Sequence, residues 1–472
     1  MMSPLMAVVS LSYLISAGCY VIGLHMMRTP KSARNGNRLS AVGMVLAVVM
    51  TFVIALQKNE ATLISWLLLA VALILGITYG AVKARTVKMT DMPQLVSLFN
   101  AVGGGAAAAI GAFDYLSQPN GEHLALAFSI PVILDMIIGG ITFSGSLIAT
   151  GKLAGKVSGK PITFPGAKLL NGVVVLIILV AIAMTVGFAS SPWILTIAIV
   201  ASLVFGILMT IPIGGADMPV VVSLLNAFTG LAVAMAGFVI NNQILIIAGA
   251  LVGAAGTILT LQMAAAMNRS VVKIIAGGFG TDDGGGAATT DIPVDVKTTT
   301  ADDIGVQLAY AKNVMIIPGY GLAAAQAQRE VSDLANLLLA HGINVNYAIH
   351  PVAGRMPGHM NVLLAEVNVP YEQMKQMEEA NAMFENTDVS LVIGANDVTN
   401  PQAREPHTVI TGMPILDVDK SKSIVVIKRS MSTGYAGIQN PLFANEKTGM
   451  FFADAKKGLV EVIAATKEYL EE

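Results

Sequence analysis

The chain of 472 residues predicts a multi-span α-helical membrane domain of nine spans, followed by an α/β domain built on a parallel sheet. Mean hydropathy is +0.70 and only 12% of residues are charged, about half the share of an ordinary soluble domain. The charge is split. Residues 1–275 hold fourteen Lys and Arg against six Asp and Glu, whereas residues 276–472 hold fourteen against twenty-four. The first part breaks into apolar runs long enough to cross about 30 Å of hydrocarbon. The second alternates strand-like with helix-like segments, the pattern of a doubly wound sheet.

The apolar runs fall at about 5–27, 39–56, 61–82, 92–113, 124–149, 168–187, 193–213, 217–239 and 243–266. Each must be a helix, because backbone groups in lipid are satisfied within the segment. Thirteen of the fourteen cations follow odd-numbered spans: Arg28 to Arg38, Lys83 to Lys88, Lys152 to Lys168, and Arg269 with Lys273. Lys58 alone lies on the other side. The excess marks the cytoplasmic face, so the N-terminus is expected outside and the C-terminal domain inside. Span one lacks the positive flank of a cleaved signal peptide. Cys19 is the single cysteine, which excludes disulfides within the chain and cysteine-based metal clusters.

Two stretches repeat at an offset of 126 residues: DMPQLVSLFNA at 91–101 and DMPVVVSLLNA at 217–227. Both copies enter the bilayer from the same side, so the repeat is parallel, and such repeats place ion pathways at their shared interface. Asp91 and Asp217 suit N-caps with proline in the first turn, and both also stand at the mouth of a pathway. Asn100 and Asn226 lie nine residues further along, about 14 Å deep. They read either as amide glue between helices or as holders of water. Asp135 is an aspartate deep in span five, where insertion costs about 2.5–3.5 kcal/mol. It is a structural carboxylate or a proton carrier. The candidate proton pathway is therefore Asn100, Asp135, Asp217 and Asn226.

Residues 276–303, rich in Gly, Thr and Asp, read as a flexible linker between a domain at 1–275 and one at 304–472. In the latter, 304–311 is helical and NVMIIP (313–318) is a buried strand. A glycine turn then opens one long helix over 321–341. NVNYAI (344–349), VSLVIG (389–394) and IVVIKR (424–429) are further strands, and 454–470 is a terminal helix. Gly319-Tyr320-Gly321-Leu322-Ala323-Ala324 is a G-x-G-x-x-A turn after a strand, the Rossmann-like dinucleotide pattern. Its glycines admit a pyrophosphate to the backbone and to a helix N-terminus. A tight glycine turn in a domain that binds no nucleotide is the plainer alternative.

NAD sites place a carboxylate at the end of the second strand. Here that strand ends His350-Pro351-Val352-Ala353-Gly354-Arg355, without one, and Lys428-Arg429-Ser430 ends a later strand. Guanidinium and hydroxyl suit a phosphate dianion, which favours NADP(H); cations that merely balance an acidic domain are the other reading. Gly394-Ala395-Asn396-Asp397 and Gly434-Tyr435-Ala436-Gly437 supply further small-residue loops at strand ends. No hydrolytic triad appears, and hydride transfer between dinucleotides requires none. A second dinucleotide must come from elsewhere, because one such domain holds one.

PGYGLAAAQAQ, HPVAGRMPGHMNVLLAEV, IGANDVTNP and KRSMSTGYAGIQNPLF, with GGADMPVVVSLLNA and AMNRSVVKIIAGGFGTD, resemble the beta subunit of bacterial proton-translocating NAD(P) transhydrogenase along nearly the whole chain. The resemblance implies NADP(H) on the soluble domain, NAD(H) on an alpha subunit, and hydride transfer coupled to proton translocation across the bacterial inner membrane. It implies a homodimer of beta within a hetero-oligomer, membrane lipids around the spans, and no nucleic acid. It implies that Gly319, Tyr320 and Gly321 line the nucleotide. It sets Val352, Ala353, Gly354, Arg355, Met356, Pro357 and Gly358 around nicotinamide and pyrophosphate, with Arg355 on phosphate. Asp397, beside Gly394, Ala395 and Asn396, is implied near the reacting nicotinamide. Lys428, Arg429 and Ser430 are implied at the 2′-phosphate, and Gly434, Tyr435 and Ala436 in a loop closing over the cofactor. One departure is Asn100, where members of the family carry a histidine; asparagine does not titrate. Two rivals stay open: a transporter gated by an NADP-sensing Rossmann domain, and a membrane-anchored reductase without coupling.

Overall fold

The computed structural model describes residues 4–471 apart from 59–61, 120, 122, 159–160, 189–190, 215–216, 268–269, 278–295, 355–357, 407, 409 and 435. Among the described residues, nine helices are long and apolar enough to span a membrane. They are α1 Pro4–Met26, α2 Pro30–Lys58, α3 Leu63–Thr86, α4 Met92–Leu116, α5 Leu126–Leu153, α6 Ala167–Gly187, α7 Pro192–Thr210, α8 Met218–Val239 and α9 Gln243–Ala266. Each expected span finds its helix. A short α10, Val271–Gly277, follows, and most of the expected linker lies outside the described residues. The chain divides into two compact units, Met1–Pro212 with Val221–Leu259, and Ile213–Val220 with Thr260–Glu472.

In the helical unit the repeated sequence builds repeated hairpins. A Cβ on Gly104 of α4 would lie 2.8 Å from the Thr142 side chain and 3.0 Å from the Gly139 carbonyl of α5. Its counterpart Gly230 in α8 would meet Gly253 of α9 at 2.3 Å. Small residues at matching positions thus let each helix seat the one that follows.

The second unit carries a sheet of six parallel strands in the order β3-β2-β1-β4-β5-β6. After α11 (Ala301–Ala309) come β1 Asn313–Pro318, α12 Tyr320–Ala325, α13 Gln328–Ala340, β2 Asn344–Ile349 and α14 His359–Glu366. Then follow β3 Met374–Gln376, α15 Met377–Met383, β4 Val389–Ile393, β5 Ser423–Lys428, β6 Thr448–Phe452 and α16 Ala455–Glu471. The central strands are buried almost throughout, as a sheet covered on both faces requires. Asp388 ties the starts of two of them: its Oδ2 accepts the Lys312 and Asn313 N–H at 2.9 Å, and its Oδ1 meets Lys422 at 2.8 Å.

Two expectations need correction. The single helix over 321–341 is two helices, because Gln326 takes a left-handed φ of +53° and the Ala327 N–H turns back to the Leu322 carbonyl. The edge strands β3 and β6 are additional to the four strands that the sequence predicts. Thr298 bridges to Met450 of β6, and a capping box at Thr300 and Asp303 starts α11.

Candidate functional site

The strand order reverses at β1, so β1 and its neighbour β4 form the topological switch point where parallel sheets bind ligands beyond their carboxyl ends. The turns leaving these strands are locked together. The Gly319 N–H donates to the Ile393 carbonyl and the Gly321 N–H to the Gly394 carbonyl, each at 2.9 Å. A Cβ on Gly394, whose φ is +64°, would stand 2.3 Å from the Gly321 Cα; one on Gly319 would stand 2.4 Å from Ala395. The glycines that suggested a pyrophosphate cradle therefore also answer a packing demand between two loops. Tyr320 is half-buried at the start of α12.

A second lock joins the β4 turn to the loop after β5. The Ala436 N–H donates to Asp397 Oδ2 at 3.0 Å, and a Cβ on Gly434 would stand 2.3 Å from Asp397 Oδ1. Buried Asn440 donates to the Asn396 carbonyl at 3.1 Å, and buried Asn400 to the Gln439 carbonyl at 3.0 Å. Each of these asparagines precedes a proline, and each accepts a backbone N–H two residues on, from Gln402 and Leu442. Sequence reading missed both; the paired Asn-Pro dipeptides were the available signal. Between these loops lies a cavity of about 150 Å³, lined by Asn396, Lys428, Ser432, Asn440 and Phe443 among others.

The three residues expected at a phosphate divide into two kinds. Lys428 is half-buried, bonds the Ser432 carbonyl and stands 4.8 Å over the Phe443 ring. Burial holds its ammonium below the usual lysine range, against the opposing pull of Asp397. Arg429 and Ser430 are exposed. At the end of β2, Ala353 is buried, Val352 is half-buried, and Gly354 (φ +107°) abuts buried His359, so that a Cβ there would lie 2.4 Å from its ring. Gly358 (φ +65°) precedes α14. Arg355, Met356, Pro357 and Tyr435 lie outside the described residues.

In the helical unit the two repeat asparagines differ. Asn100 is buried, donates to the Val222 carbonyl of α8 at 3.2 Å, and takes the Thr229 hydroxyl on its own carbonyl at 3.3 Å. Asn226 is half-buried. Asp91 places no side-chain bond on the α4 N-terminus and instead accepts Gln94 Nε2 at 3.2 Å, so the cap expected of it is not made. Asp217 is half-buried just before α8.

Asp135 is fully buried, the one such carboxylate among the described residues. It lies against Gly111, where an added Cβ would stand 2.8 Å from Oδ2, and neither oxygen completes a hydrogen bond of ordinary geometry with a described residue. In the second hairpin the counterpart Gly237 is met by Leu245 and Ile246. The carboxylate thus breaks the repeat at a seat that apolar side chains fill elsewhere. Among the described residues no cluster of three or more His, Cys, Asp or Glu could hold a metal.

The profile of the family described as NAD(P) transhydrogenase beta subunit matches residues 9–465. Two curated relatives, both named NAD(P) transhydrogenase subunit beta, come from Rhodospirillum rubrum and from a designated strain of it. Each is 44% identical over 463 residues, covering 96% of this chain and 98% of the relative.

Proposed function

The chain belongs to the NAD(P) transhydrogenase beta subunit family, and from that premise we propose that its α/β unit binds NADP(H) while its helical unit carries the proton that drives hydride transfer. It is a multi-pass membrane subunit of a transhydrogenase, and a beta subunit implies an alpha partner. The observation that carries the cofactor reading is the glycine-locked pair of turns at the β1/β4 switch point, flanked by exposed Arg429 and with no carboxylate ending β2.

Bound there, the nicotinamide of NADP(H) would accept or give a hydride, with the NAD(H) nicotinamide of the alpha subunit opposite. Residues of this chain do the rest. The Gly319–Gly321 backbone leaves room for the pyrophosphate. The exposed Arg429 fork and the Ser430 hydroxyl meet the 2′-phosphate, and Lys428, already engaged with Ser432, adds field rather than a direct bond. Val352 to Gly358 close the nicotinamide side. Asp397, by holding the Ala436 N–H, keeps that part of the loop after β5 beside the β4 turn, where Gly434, Tyr435 and Ala436 would close over the cofactor.

In the membrane, Asn100 fixes α4 to α8, which leaves half-buried Asn226 to hold water and Asp135 and Asp217 to titrate. Asp135 is the stronger of these, because it is the one fully buried carboxylate among the described residues. The charge asymmetry supports an outside N-terminus and a cytoplasmic α/β unit. The test is reconstitution with the alpha partner in vesicles, following reduction of an NAD analogue and internal pH together. Hydride exchange without proton movement would favour an uncoupled reductase; nucleotide binding without hydride exchange would favour a nucleotide-gated transporter.

A further inference from the structure

The segment 413–418 runs among the loops that follow β2, β4 and β5. The Leu416 N–H donates to the Val398 carbonyl of the β4 loop at 2.9 Å. Asn381 of α15 clamps it from the side, donating to the Ile415 carbonyl at 2.9 Å and accepting the Asp417 N–H at 3.0 Å. Ile410 and Ile415 form an apolar cluster with Ala403, and Ala436 and Ile438 of the β5 loop pack against it. The described residues just after β2, 351–354, reach this strut through His350 alone among the described hydrogen bonds: its Nε2 lies 2.8 Å from the Pro414 carbonyl.

The two ring nitrogens of His350 have different tasks. A carbonyl accepts only, so Nε2 carries the proton and donates to Pro414; Nδ1 is then the acceptor for the Val352 N–H at 3.3 Å. The ring is 1% exposed, and burial pushes its pKa down to about 4, so at neutral pH it is the uncharged tautomer that this pattern needs.

We propose that His350 is a positioning residue that pins residues 351–354 after β2 to the Pro414 carbonyl, so that they and the stretch of Ala436 and Ile438 after β5 hold the cofactor through one shared strut. The proposal rests on the NADP(H) reading above. Glutamine carries its amide nitrogen where Nε2 stands and keeps the bond to Pro414. Asparagine is one carbon too short for that bond and keeps only the acceptor facing Val352.

The purified complex of beta with its alpha partner is loaded with NADPH and diluted into excess NADP+, and release is followed by NADPH fluorescence. His350→Asn is expected to release NADPH about tenfold faster than the parent, one hydrogen bond's worth, and His350→Gln within about twofold of it. Melting temperatures taken on the same samples record the structural cost, which both variants share. One common release rate for His350→Gln and His350→Asn overturns the proposal. A parent complex that retains no NADPH overturns the cofactor reading instead.

Discussion

Replacing Gly394 by alanine tests whether the two turns at the switch point are a single unit. The new Cβ would lie 2.3 Å from the Gly321 Cα and 2.7 Å from its carbonyl carbon and nitrogen, all backbone atoms that no rotamer change can move. The turns must separate by more than 1 Å to reach ordinary contact, roughly 3.5–4 Å. Overpacking of this kind costs about 1–3 kcal/mol, and a left-handed φ at a residue with a Cβ about 1–2 kcal/mol. Separation also stretches the Gly319 to Ile393 and Gly321 to Gly394 bonds, worth about 1 kcal/mol each. A loss of about 3–5 kcal/mol follows, and at ~2–4 °C per kcal/mol the transition of the α/β unit falls by about 10 °C. Gly342→Ala is the control: its φ is +80° but nothing lies within 4 Å, so only the left-handed cost of about 1 kcal/mol remains. Calorimetry of the purified complex with and without NADP(H) reads both variants. If Gly394→Ala melts no lower than Gly342→Ala, the two turns yield independently and the steric argument is wrong.

Arg429→Ala should weaken NADP(H) binding by about 1.5–3 kcal/mol while leaving NAD(H) binding unchanged; equal NADPH affinity of variant and parent, by titration, removes the 2′-phosphate assignment. Asp388, held down to about 2 by Lys422 and then by the Asn313 and Lys312 N–H groups, stabilises the fold above the ordinary carboxylate pKa and loses that contribution as pH falls through about 2. Asp388→Asn should therefore cost about 1–2 kcal/mol at pH 7, allowing for the exposure of Lys422, and the gap to the parent in denaturant unfolding should narrow between about pH 4 and 2. A gap that widens on acidification would reverse the sign. In the membrane, Asp135→Asn and Asn226→Leu should both insert, bind NADP(H) and lose proton uptake during hydride exchange. Full coupling in both would return these residues to packing.

What the sequence disclosed follows from how local each signal is. Strands β1 and β2 were legible to the residue because each starts at an asparagine, is mostly apolar after it and ends sharply, at a glycine turn for one and at His350-Pro351 for the other. Strand β3 escaped because three residues, Met-Lys-Gln, carry no periodicity, and β6 because Gly449 interrupts a short edge strand. The glycines of the site announced themselves, but that Gly321 faces Gly394 across some seventy residues could be known only from the register of β1 on β4. Likewise Asp135 stood out as a charge in an apolar run, while its seat against Gly111 depends on how α4 and α5 cross. Asp91 read as a cap from Asp-x-Pro, yet its carboxylate turns to Gln94, since a side-chain amide three residues on competes for the same oxygen.

The broken symmetry of the two hairpins bears on stoichiometry. A parallel duplication with a buried aspartate in each half would give the chain two deep stores of charge; here the second seat is closed by Leu245 and Ile246, and Asp135 is the one fully buried carboxylate among the described residues. A single buried carboxylate loads one proton at a time, so under the proposed coupling the deep part of the path, at Asp135, advances in unit steps. A cycle that moved two protons per hydride would have to fill and empty the same group twice, or alternate between two copies of the chain. A ratio of one proton per hydride, measured on the assembled enzyme, fits a single loading of this group in each turnover, and a higher ratio calls for one of those two routes.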